Sequence, residues 1–202
     1  MVKGECKIKN KVVNGCMNLI EREQSIDKVK LAEIRYALEG MYSTLSKTLI
    51  ILIIAYFLGH FKDTLFFMLF YIPIRSFSFG FHANNSTECL ILSIITFILL
   101  PWLFSAIKMN KIWHIVLMIM SFVSFLLFSP AGTKKRPIKN PQRRLKCKIV
   151  SSSLLVTYFI ISFFVPTTIS KMILAVIVCQ AFMISPVMYK LFKQPYYYNW
   201  FK

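Results

Sequence analysis

What the 202-residue chain lacks narrows it first. It has no Cys-x-x-Cys pair, and its five cysteines, Cys6, Cys16, Cys89, Cys147 and Cys179, are scattered and odd in number. Such spacing indicates neither a disulfide framework nor a zinc site, and no metal or other cofactor is expected. Gly-x-Ser-x-Gly and His-Glu-x-x-His are also missing, which removes the serine-hydrolase elbow and the zinc-peptidase helix. Internal repeats are absent, and so are the broken helices in matching halves that a carrier would show. Acid is scarce: 8 Asp and Glu stand against 25 Lys and Arg, a formal net charge of +17. In a soluble protein this excess would suggest nucleic acid, yet no nucleic-acid-binding module is visible.

What is present is apolar. Hydrophobic residues make up 56% of the chain and mean hydropathy is +0.59, more apolar surface than one soluble core can hide. The sequence therefore predicts an all-α integral membrane protein. Apolar runs occur at about 44–61, 64–81, 89–107, 112–128, 149–166 and 170–189, each close to the ~20 residues a helix needs to cross ~30 Å of hydrocarbon. The second is the weakest, because Pro73 and Arg75 interrupt it; a kinked span or a re-entrant segment would both fit.

Three divisions follow. Residues 1–43 form an N-terminal segment in which Leu31, Ile34, Leu38, Met41, Tyr42 and Leu45 recur at steps of three and four. That is an amphipathic interfacial helix with Ser25 as its expected N-cap. The mixed charges before the first apolar run are unlike a cleaved signal peptide. Residues 44–189 form the six-span domain, and 190–202 an aromatic and basic interfacial tail.

Cations cluster before Lys47, in the acid-free linker 130–148 (Lys134, Lys135, Arg136, Lys139, Arg143, Arg144, Lys146 and Lys148), and in the tail at Lys190, Lys193 and Lys202. The positive-inside rule places all three in the cytoplasm, and six crossings satisfy it without conflict. A multi-pass protein of the cell membrane is expected, with both termini cytoplasmic and anionic lipid headgroups as partners of the basic segments.

One pair of residues stands out for chemistry. His82 and Cys89 are the only close His/Cys pair in the chain, and the six-span count faces their turn to the cytoplasm. A thiol that becomes thiolate and an imidazole that takes its proton suffice for cysteine hydrolysis. On one straight helix seven residues would separate the two Cα atoms by about 10.5 Å, so the chain between them must turn. Ala83-Asn84-Asn85-Ser86-Thr87 supplies that turn, and Asn85 or Ser86 as N-cap would put Cys89 at the positive end of the next helix. Gly80 would admit a close backbone, and Arg75 is either paired to a purpose or snorkelling toward the interface.

These residues resemble a known family. Arg75, six residues, His82-Ala83 with Gly80 two before it, six more and Cys89 match the signature of the accessory gene regulator protein B family, membrane peptidases of Gram-positive quorum sensing. Ser129-Pro130-Ala131-Gly132-Thr133-Lys134-Lys135-Arg136-Pro137-Ile138 resembles the family's second motif, and the likeness covers nearly the whole chain. The family usually has a second Gly beside the one matching Gly80, where this chain has Phe79 and Phe81. Gly132 replaces a common acid, a charge partner for Arg75 or the basic run.

The resemblance implies a cysteine endopeptidase with His82 and Cys89 as catalytic residues. Such an enzyme removes the C-terminal part of a small, amphipathic, membrane-associated precursor (an AgrD-like peptide) and holds the remainder as a thioester on Cys89. An internal Cys or Ser of the peptide then closes a thiolactone or lactone. Arg75, Gly80, Lys134, Lys135 and Arg136 would support the site or meet an acidic part of the substrate, although the linker's topological role explains its three cations equally well. A second copy of the chain is a further candidate partner. The competing reading is a non-catalytic carrier or assembly partner with Arg75 and His82 along a polar path.

Overall fold

A computed structural model of the chain describes residues 3–23, 27–81, 86–132 and 140–193. Among them the regular structure is helical: α1 (Lys3–Glu23), α2 (Lys28–Phe57), α3 (Phe61–Ser78), α4 (Ser86–Ile94), a π-helical turn (Ile95–Leu99), α5 (Leu100–Ala106), α6 (Lys111–Phe128), α7 (Pro141–Phe164), α8 (Thr167–Ile184) and α9 (Pro186–Leu191). Five helices are long and apolar enough to cross a membrane: Val29–Phe57, Thr87–Ala106, Lys111–Phe128, Pro141–Phe164 and Thr167–Ile184. Large apolar side chains such as Leu49, Phe57, Ile112, Trp113, Met120 and Phe164 point outward, as lipid-facing helices require and a water-soluble surface does not. The chain is an all-α membrane protein.

The expected weakest run, α3, has the length of its neighbours but contains Lys62, Asp63 and Arg75. It is one continuous helix despite Pro73 and packs inside the bundle against α2, α7 and α8. At the centre lies α8, in which Met172 through Ile177 are buried without interruption; α3, α5, α6 and α7 surround it.

Helix boundaries follow local chemistry. Gly59, at φ 76, ends α2 by the hydrogen bonds His60 N to Ala55 O (2.9 Å) and Gly59 N to Tyr56 O (3.1 Å), a Schellman termination that only glycine makes without strain. Asn140 caps α7 by accepting from the backbone of Gln142 and Arg143, with Pro141 in the first turn. Pro101 has no N–H to give the preceding turn, and there the Leu100 amide bonds to Ile95 O, five residues back, forming the π-helical turn.

Three expectations change. The amphipathic segment and the first span are a single thirty-residue helix with Asp27 at its cap position, because no proline or terminating glycine separates them; Ser25 lies outside the described residues. The residues before it form α1, which folds back on α2 with Val13 and Met17 buried and Lys9 paired to Glu39 at 2.6 Å. The last run stops at Ile184, because Pro186 cannot continue the helix and the chain turns into α9.

Candidate functional site

Between the end of α3 and the start of α4 the chain leaves the helical register and is fixed on three sides. Phe79 and Ala131 form an isolated parallel β-bridge, with Gly80 N bonded to Ala131 O (3.0 Å) and Ala131 N to Ser78 O (3.1 Å). From α8, Met183 O accepts from Phe81 N (3.0 Å), and the Gln180 amide donates to Ser78 Oγ (2.6 Å) and Phe79 O (2.7 Å). From α3, Arg75 reaches forward over the same segment, donating through Nη1 to Phe79 O (2.7 Å) and through Nη2 to Phe81 O. Non-helical backbone is tolerated at membrane depth only where protein satisfies its polar groups, and these donors and acceptors do so.

The two sequence motifs therefore meet. Pro130-Ala131-Gly132 lies beside the segment that delivers the chain to position 82, although fifty residues separate them. Gly132 is buried, and its carbonyl accepts from the Tyr189 hydroxyl at 3.4 Å. No acid stands there to pair with Arg75, whose guanidinium is instead engaged by backbone carbonyls. This gives Arg75 a positioning contact that neither the substrate reading nor the snorkelling reading supplied.

Gly80 is dictated twice. Its φ is +110, and a Cβ on it would lie 2.6 Å from Arg75 Nη1, 3.0 Å from Met183 O and 3.2 Å from Ile184 Cγ2. Phe79 has φ 57 and ψ −130, a conformation that costs a non-glycine residue about 1–3 kcal/mol. Here the chain departs from the glycine pattern noted above, and the Arg75 and Gln180 bonds to the Phe79 carbonyl hold the strained residue in place.

After residues 82–85, α4 begins at Ser86 with Glu88 in its first turn and Cys89 as its fourth residue, so the expected helix start is found. Cys89 is half-buried and opens on a cavity of about 160 Å³ lined by Tyr71, Arg75, Phe81, Leu92, Ser93, Thr96, Phe97 and Met183. Arg75 and Cys89 are thus brought to one cavity, and Gly80 packs against the same guanidinium. His82, Asn84, Asn85, Lys134, Lys135 and Arg136 lie outside the described residues.

Sequence reasoning missed Gln180 and Tyr71. Gln180 was detectable as an amide inside an otherwise apolar span, where a polar side chain marks an internal partner or a function. It is fully buried, and its Oε1 has no hydrogen-bond partner among the described residues. Tyr71 gave no such signal, since its place on the cavity depends on how α3 packs on the π-helical turn that follows α4.

Bundle and cavity define a class: a multi-span helical membrane protein with a cysteine thiol opening on an internal, partly polar cavity. The chain belongs to the accessory gene regulator B family, whose model, "Accessory gene regulator B", matches residues 10–184. Among its relatives, accessory gene regulator protein B of Staphylococcus carnosus (strain TM300) is 30% identical over 167 residues, covering 83% of this chain and 87% of the relative. The protein of the same name from Staphylococcus epidermidis is 28% identical over 184 residues, 91% of this chain and 94% of the relative. That from Staphylococcus aureus (strain MW2) is 30% identical over 171 residues, 84% of this chain and 90% of the relative. No solved structure matches the chain significantly.

Proposed function

We propose that the protein is a membrane-embedded cysteine endopeptidase of the accessory gene regulator quorum-sensing system. It removes the C-terminal part of a small precursor peptide and promotes closure of a thiolactone or lactone in what remains. One observation carries this reading: Cys89, at the start of α4, opens on a cavity beside the Arg75-clamped segment that leads into His82.

In this mechanism His82 takes the Cys89 proton and the thiolate adds to the scissile carbonyl. The proton passes to the departing amine, leaving an acyl-enzyme thioester. An internal Cys or Ser of the peptide then displaces Cys89, and a cavity walled by Phe81, Leu92, Phe97 and Met183 slows competing attack by water. The basic segments orient the site toward the cytoplasm, where the precursor is made. A carrier would need Arg75 facing an open path; its guanidinium is committed to two carbonyls instead.

The test is co-expression with the peptide encoded beside it, followed by mass analysis of that peptide. Cys89→Ala and His82→Ala should each abolish cleavage while the protein stays in the membrane at normal abundance. Replacing Cys6, Cys16, Cys147 or Cys179 should leave cleavage intact. Full cleavage by Cys89→Ala would end the cysteine mechanism.

A further inference from the structure

We infer that the Tyr71 hydroxyl is the donor that stabilises the oxyanion formed when Cys89 attacks; the inference rests on the acyl-transfer reading above. Attack forms a sulfur–carbon bond and moves the carbonyl π pair onto oxygen. Collapse restores the carbonyl, breaks the carbon–nitrogen bond and expels the amine with the proton His82 took from the thiol. The transient negative oxygen needs a preorganised donor inside the cavity, and in a water-poor site that donor dominates the barrier.

The polar side chains of the Cys89 cavity are Tyr71, Arg75, Ser93 and Thr96. Two are committed elsewhere: Arg75 donates to Phe79 O and Phe81 O, and Ser93 Oγ donates to Cys89 O at 2.7 Å. Thr96 and Tyr71 remain, and of these Tyr71 is the one whose ring is held by aromatic neighbours. Tyr71 is 7% exposed, and its hydroxyl makes no hydrogen bond among the described residues.

Its ring is also immobilised. Phe67 stacks on it at 5.7 Å between centroids and Phe97 meets it edge-on at 5.2 Å. A phenol so held has its two torsions fixed before substrate arrives. That is the preorganisation an oxyanion donor requires, and the π-helical turn supplies part of it, since Phe97 lies within that turn.

The experiment compares wild type with Tyr71→Phe, as full-length protein in vesicles with the precursor peptide, reading kcat and KM. Cys89 alkylation by iodoacetamide is followed in parallel, in a background with the other four cysteines replaced by Ala. Alkylation displaces iodide and forms no oxyanion, so it reports the thiol and its cavity alone. Tyr71→Phe should lower kcat by about 10²–10³, with KM and the alkylation rate unchanged. A wild-type kcat would overturn the assignment, and an equal fall in kcat and alkylation would do so by making Tyr71 structural. Normal cleavage by Cys89→Ala would instead remove the acyl-transfer reading itself.

Discussion

Replacing Gly80 by Ala tests whether the clamp around residues 78–81 positions the site. The added methyl meets three obstacles of different stiffness: Arg75 Nη1 at 2.6 Å, Met183 O at 3.0 Å and Ile184 Cγ2 at 3.2 Å. Arg75 can withdraw, but only by giving up its 2.7 Å bond to Phe79 O, a charged hydrogen bond of about 1.5–3 kcal/mol. Met183 O cannot withdraw, because it belongs to the central helix and accepts from Phe81 N. To this is added about 1–3 kcal/mol for an L side chain at φ +110 and about 1–3 kcal/mol for overpacking. A local cost of about 3.5–9 kcal/mol exceeds what the bridge to Ala131 can resist, so the segment shifts.

A displacement near 1 Å at a reacting group costs about 10²-fold in rate. Gly80→Ala should therefore lose cleavage by that order at unchanged membrane abundance, read as processed precursor per molecule of protein. The double variant Gly80→Ala/Arg75→Ala separates the causes. If the backbone terms dominate, as the stiffness of Met183 O indicates, the double variant falls below Arg75→Ala alone. Cleavage by Gly80→Ala within about threefold of wild type, on the scale where 1.4 kcal/mol is tenfold, would refute the clamp as a positioning device.

Two further outcomes follow from the same structure. Arg75→Lys should lose about 10–100-fold in cleavage, because an ammonium does not bridge the Phe79 and Phe81 carbonyls as the guanidinium fork does; wild-type cleavage would return Arg75 to a snorkelling role. On the orientation expected from the positive-inside rule, Cys89 and Cys147 should resist a membrane-impermeant thiol reagent in intact cells and react after permeabilisation, whereas Asn110→Cys should react in intact cells; outward labelling of Cys147 would overturn that orientation.

The spans were legible because their signal is local. Runs without charge, ended by Gly59 or Pro166, declare themselves within twenty residues. Cys89 at a helix start was legible for the same reason, since Asn85-Ser86 announces the end of one segment and the opening of the next. The partners of that region were not. Ala131 lies fifty residues from Ser78 and Gln180 a hundred, and no period or spacing links them. Arg75 read as a charge near an interface because its acceptors are backbone carbonyls, which every residue has and which no sequence pattern distinguishes. The unity of α2 was obscured by composition, which changes from amphipathic to uniformly apolar along a helix whose backbone does not change.

The contacts from α8 to residues 78–81 set an order on assembly. A chain made from its N-terminus inserts α3 and α4, and with them Arg75 and Cys89, well before Gln180 and Met183 have been synthesised. Until α8 enters the bilayer, the carbonyl of Phe79 has only Arg75 and the amide of Phe81 has no acceptor at Met183. The Cys89 thiol is thus present in the membrane early, while the backbone of residues 78–81 waits for the last long helix. A nascent or truncated chain would hold the thiol without the frame beside it, and under the proposed function competence to cut would arrive only with completion of the bundle.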